Sequence, residues 1–344
     1  MEKKKKEVCP TCGKSFVYLN RHKCKAIKPE RIFNIACTPP KYDDIGAVLK
    51  EMGYAYDEFK GEDLNNANKL KELEILFMNC GGTPDPNAKS KKNIKNFVAS
   101  GGALYVSDWA NKWIQALFPN IMKFHSSGSA TTVNSRVVDF DLSEFLGTSE
   151  IDLKFDLGSW HGIKEIIKKD TVREYLRGDR EVDSQEPLLV TFRFEEGLVI
   201  FTAFHNEKQV SELEHRLLEF LVIKPLMHKV DEQSKEILNK KQYKSKKGIV
   251  DALEIGEDSQ LYKFKVREAC DLEFIFNWKG EASAQVSIID PDDETVCDES
   301  FNQIPFEFGV SQAKLGVWNF KIKFNKVPLK RFPFTINVGI KITI

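Results

Sequence analysis

The chain has 344 residues, 42% of them hydrophobic with 25 Phe, and its 51 basic side chains equal its 51 acidic ones. That length suits two or three domains of roughly 100–200 residues with real cores, and the balanced charge singles out no class of partner. No run reaches the roughly 18 apolar residues of a membrane span, and no apolar stretch follows the basic start Met1–Lys6 as a secretory signal requires. Seven cysteines, three of them crowded into positions 9–24, suit a reducing cytoplasmic setting with one metal site better than a disulfide framework. Charge is unevenly spread. Residues 1–31 hold ten Lys or Arg against three Glu, about +7, while residues 250–344 hold eleven against fifteen acidic groups, about −4.

Residues 1–30 carry the strongest local chemical signal: Cys9-Pro-Thr-Cys12, then His22 and Cys24. Two thiolates on a tight knuckle, an imidazole and a third thiol form a soft tetrahedral set that favours zinc. Gly13 permits the knuckle's positive φ, and Phe16 and Leu19 suit one face of a short helix beneath the metal. About 25 residues hold no core of their own, so Zn2+ here is folding energy rather than catalysis. The segment resembles CCHC-type zinc fingers, including small fingers that bind ubiquitin or nucleic acid. It departs from them at the end, where His22 and Cys24 are only two apart, so the helix must stop near His22. Cys37 is a substitute ligand. Lys14, Arg21, Lys23, Lys25 and Lys28 supply charge for a nucleic acid, with Tyr18 the one spare aromatic.

Residues 31–226 change period. Strands are expected at Arg31–Cys37, Tyr54–Phe59, Glu74–Asn79 and Ala103–Ser107, and helices at Asp43–Met52, Ala67–Leu73, Lys89–Ser100 and Trp109–Phe118. Alternation of this kind builds a parallel, flavodoxin-like α/β sheet. Its ligands sit beyond the carboxyl ends of the strands, where Cys80, Asp108 and His205 fall.

The run Gly197–Thr202 leads to Phe204-His205-Asn-Glu207, and Gly101-Gly102 leads to Ser107-Asp108-Trp109. Together with Asn79-Cys80-Gly81-Gly82, these motifs resemble class I glutamine amidotransferase-like domains, nearest the ThuA-like branch. The resemblance implies that His205 and Glu207 are the family's acid–base pair and that Asp108 stands where the nucleophilic cysteine would be. The glycine loop then replaces the family's oxyanion loop. The segment His125–Trp160 is an insertion that the family pattern leaves unexplained.

Asp108 has three readings: N-cap of the following helix, nucleophile forming an ester beside His205, or ligand to a divalent cation with His205 and either His125 or His161. Cys80 reads as a buried or loop thiol after the wrong strand. Trp109, Trp113 and Phe118 read as helix packing.

Residues 227–249 read as a helix and a linker. Residues 250–344 alternate with period two, as in an antiparallel β-sandwich. The Asp290-Pro-Asp turn, the Gly316-Val-Trp318 strand start and Phe332-Pro-Phe resemble pre-peptidase C-terminal sandwiches, which implies an accessory binding module. The acidic turn Asp290–Glu294 reads as exposed, with calcium binding the alternative.

The combined expectation is a cytoplasmic, non-catalytic scaffold or adaptor that takes a protein partner, with a zinc-stabilised N-terminal module and a degenerate amidotransferase-like centre. A hydrolase using Asp108, His205 and Glu207 is the first rival. A nucleic-acid binder acting through residues 1–31 is the second.

Overall fold

The computed structural model describes residues 31–178, 185–209 and 211–342, with a two-stranded ladder of Glu7–Val8 against Ser15–Phe16. Cys9, Cys12, His22 and Cys24 lie outside the described residues, as does most of the basic segment 1–31. Phe16, expected on a helix, lies on a strand. Cys37 is buried in the central sheet, away from any role as a finger ligand.

The central body is mixed α/β, built on nine strands. From one edge to the other they run Asp57–Glu58, Ile35–Cys37, Ile75–Met78, Ala103–Ser107, Gly197–Thr202, Glu186–Phe194, Val172–Gly178, Thr131–Val137 and Glu150–Phe155. The first five are parallel and the remaining pairings antiparallel. Ile75–Met78, Ala103–Ser107 and Gly197–Thr202 are buried along their whole length, which is why they read as unbroken apolar runs. The expected parallel sheet is therefore half of a mixed one. Tyr54–Phe59 contributes only the exposed edge pair Asp57–Glu58, since its polar residues bury no face.

The segment beyond Ser107 departs most from expectation. A 3₁₀ turn, Asp108–Asn111, precedes the short helix Lys112–Leu117. Met122–Ser127 and Trp160–Ile166 then pair as a separate antiparallel ribbon, while Thr131–Val137 and Glu150–Phe155, linked by helix Phe140–Leu146, extend the main sheet.

Residues 244–342 form two four-stranded antiparallel sheets. One orders Lys244–Leu253, Phe332–Ile342, Cys270–Trp278 and Phe306–Val310, and the other Tyr262–Val266, Gly316–Lys326, Ser283–Ile289 and Thr295–Phe301. Rings meet between them, with Phe274 against Phe320 at 5.3 Å and Trp278 against Phe324 at 5.2 Å. The stretch expected as a linker, Lys240–Gly248, instead enters an edge strand whose outward lysines remain in water. The acidic turn takes one cation from within the domain. Asp290 accepts the amides of Asp292 and Glu294, and the Lys314 ammonium reaches Asp290, Asp292 (2.8 Å) and Glu294 (3.5 Å). A lysine thus sits where calcium was the alternative.

A 29-residue helix, Glu212–Lys240, joins the two bodies. Ser211 and Glu214 cap its start reciprocally. Leu217 to Ile223 are buried at seven consecutive positions, on every face of the helix, and such all-round burial needs packing on both sides. Phe220 meets Phe145 and Tyr175 of the central body. Farther along, Asp231 accepts from Asn337 (2.9 Å) and Ser234 from Asn277 (3.2 Å), both in the sandwich. Among the described residues no helix is long and apolar enough to cross a membrane. Leu221→Ala should cost about 2–5 kcal/mol, read as a shift in urea unfolding midpoint. Because the helix serves both bodies, far-UV and tryptophan signals should move together.

Candidate functional site: a buried carboxylate–imidazole cluster

Three strand ends converge beyond the carboxyl edge of the parallel half. Met78 leads to Cys80, Ser107 to Asp108 and Thr202 to His205. The first loop is closely packed. A Cβ on Gly81 (φ +71°) would lie 2.3 Å from the Tyr42 ring, and one on Gly82 1.6 Å from the Pro39 carbonyl oxygen, so the glycine pair is required by packing. Asn79 ties this loop to its neighbours. It donates to the Thr38 carbonyl (2.7 Å) and accepts from the Ile45 amide (3.1 Å) at the start of helix Ile45–Glu51.

Asp108 has φ +41°, the left-handed region that a residue with a Cβ rarely enters. Such a conformation costs of order 1–3 kcal/mol and persists only where the surroundings hold it. Here Oδ1 accepts the His161 amide at 2.6 Å. Oδ2 lies 3.4 Å from Cys80 Sγ and 3.4 Å from His205 Nε2. The expected N-cap role is not adopted, because Ser107 occupies the cap position without a side-chain bond and the Asp108 carboxylate turns inward to the cluster.

His205 is fully buried, as are Asp108 and Cys80. Its Nδ1 lies 3.1 Å from Asp156 Oδ1. Trp160 packs on the ring at 4.4 Å between centroids and is fixed by its own indole N–H on the Leu157 carbonyl (2.7 Å). Glu207, expected as the imidazole's partner, instead pairs with Lys208 at 2.6 Å, and its backbone amide points to Asp43. Asp43, also buried, accepts the Asn206 amide (3.0 Å) and side chain (3.1 Å).

The electrostatics follow from these contacts. Burial opposes protonation of His205, but the contact with Asp108 and the charges of Asp43, Asp108 and Asp156 outweigh it and raise its pKa above the ordinary value. Burial raises Asp43, with His205 and the hydrogen bonds from Ser107, Asn206 and Glu207 pulling the other way. Burial, then the Asp108 charge, pushes the Cys80 thiol far above the usual range, against a hydrogen bond from the Trp109 amide. A neutral, enclosed thiol is a poor nucleophile.

The cluster thus brings together two of the three residues expected to carry chemistry, Asp108 and His205, with Cys80 beside them, and adds Asp156 and Asp43. Asp156 and Trp160 come from the end of the unexplained segment, and the His161 amide directly follows it; together they roof the cluster. Asp156 directly follows the strand Glu150–Phe155, and nothing local in the sequence announced that its carboxylate meets an imidazole 49 positions away. His125 pairs with Glu186 (2.9 Å), and the His161 ring with Asn111 (3.1 Å), so neither imidazole joins the cluster.

No family model and no curated protein matches the chain. Among solved structures it is similar to a protein described as ThuA-like from Bacteroides uniformis, at 13% identity, covering 60% of this chain and 99% of that one with a TM-score of 0.44. It is also similar to a cytoplasmic protein from Salmonella typhimurium, at 11% identity, 55% and 98% coverage and a TM-score of 0.40. A β-galactosidase from Bacillus circulans gives 10% identity over 86% of this chain, but only 42% of its own length, with a TM-score of 0.40.

Iodoacetamide at pH 8 should leave Cys37 and Cys80 unmodified in the native protein and label both after denaturation, as read by peptide mass spectrometry. Native labelling of Cys80 at the rate of a free thiol would mean that the roof opens readily.

Proposed function

We propose that this chain is a non-catalytic scaffold or adaptor, in which an amidotransferase-like centre has lost its chemistry and persists as a buried structural cluster. The observation that carries this reading is the enclosure of Asp108 and His205, neither of which has any exposed surface. Attack on a substrate requires a reacting atom about 3–3.5 Å from the nucleophile, and both side chains lie beneath the surface, with Trp160 packed on the imidazole ring. Cys80 offers no substitute nucleophile, being enclosed and protonated. The zinc-stabilised N-terminal module, with Cys9, Cys12, His22 and Cys24 as ligands, is the part that takes a protein partner.

Purified protein should release no ammonia from glutamine above the level of buffer; rapid release would end the scaffold reading. Cys12→Ser should lower bound zinc by one equivalent and weaken capture of the partner without shifting the thermal midpoint of the α/β body.

A hydrolase is the second reading, favoured by the strained elbow at Asp108 and its 3.4 Å approach to His205. In that reading Asp156 takes the orienting role first assigned to Glu207, because a carboxylate on Nδ1 fixes the imidazole tautomer. Turnover of model esters that disappears in Asp108→Asn, with folding intact, would favour it over the scaffold.

A further inference from the structure

We propose that Cys80, Asp108 and His205 form a binding site for one thiophilic divalent cation of the zinc class. Their ligand atoms all lie within 4.8 Å of one another, and the Sγ–Oδ2 and Oδ2–Nε2 separations are both 3.4 Å. Zinc bonds of about 2.0–2.3 Å at tetrahedral angles set ligand atoms about 3.3–3.6 Å apart. Two edges of the triangle therefore already have the spacing that an ion needs.

His205 Nε2 supplies the independent sign. It is fully buried, faces the other two atoms and has no aligned hydrogen-bond partner. Leaving such an atom unpaired is costly, and an ion in the triangle gives its lone pair a partner. The supporting contacts are also those of a metal site. Asp156 holds the far ring nitrogen at 3.1 Å, the carboxylate–histidine pairing that orients a ligating imidazole. The His161 amide holds Asp108 Oδ1 at 2.6 Å and leaves Oδ2 for the ion. Coordination releases the Cys80 thiol proton to solvent and forms the sulfur–metal bond, with no change in oxidation state. The protein supplies three of the ligands. The ion would fasten three strand ends drawn from positions 80, 108 and 205. This inference goes beyond the scaffold reading and stands or falls separately, since glutamine hydrolysis does not report on it.

The test uses the full chain, stripped with chelator and reloaded with Zn2+ or Co2+. Wild type should hold one more equivalent than Cys80→Ser by elemental analysis, a difference independent of whether the N-terminal module is loaded. With Cys9 and Cys12 replaced by Ser, the chain should still show a thiolate-to-cobalt charge-transfer band. Asp156→Asn should keep the stoichiometry but bind about 10–100-fold more weakly. Equal metal content in wild type and Cys80→Ser overturns the proposal. Should Cys80→Ser fail to fold, two further results overturn it: no cobalt–thiolate band in the Cys9→Ser/Cys12→Ser chain, or unchanged affinity in Asp156→Asn. Either would mean that Asp108 and His205 form an ion pair only.

Discussion

An imidazole enclosed among carboxylates sets the terms for the central body. Charges taken out of water are costly unless each finds partners, and breaking such a cluster leaves an uncompensated ion in the interior. His205 is therefore held by Asp156 on one nitrogen, with the Asp108 carboxylate 3.4 Å from the other. Asp108 in turn demands an elbow with positive φ to reach it, and the His161 amide to hold its second oxygen. Asp43 demands the Asn206 contacts. The roof, the elbow and the loop at Cys80 are all consequences of burying that one ring.

The cluster also shows how the crevice beyond the strand ends is closed. The elbow carboxylate of Asp108 accepts the His161 amide with one oxygen and approaches Cys80 and His205 with the other. Asp156 holds the far ring nitrogen at 3.1 Å. An aromatic side chain such as Trp160 can then cover the ring.

Much of the fold was legible because its signals are local. The fully buried parallel strands appear as apolar runs, and most sandwich strands appear as period-two alternation, as in Ser283–Ile289. Asp108 and His205 could be placed together because strand ends in such sheets point to one crevice. The remainder depended on distance in the chain. Glu207 was expected because Phe204-His205-Asn-Glu207 resembles the family motif, whereas the side chain that reaches the imidazole, Asp156, comes from an antiparallel extension with no fixed spacing to it. Lys240–Gly248 read as a linker because its lysines are polar on the face that an edge strand leaves in water. The strands Thr295–Phe301 and Phe306–Val310 were missed for a related reason, since their exposed positions interrupt the apolar pattern.

The long helix carries a consequence for how such a chain can change over evolutionary time. Its middle turns give apolar surface to the α/β body and its later turns give polar contacts to the sandwich, while Arg331 from the sandwich clasps Glu219 of the same helix at 2.6 Å. A module hung on a tether can be shuffled between genes as a cassette. This one cannot, because exchanging the sandwich would strip a continuous helix of half its lining. Substitutions in either body that face the helix are therefore coupled through it.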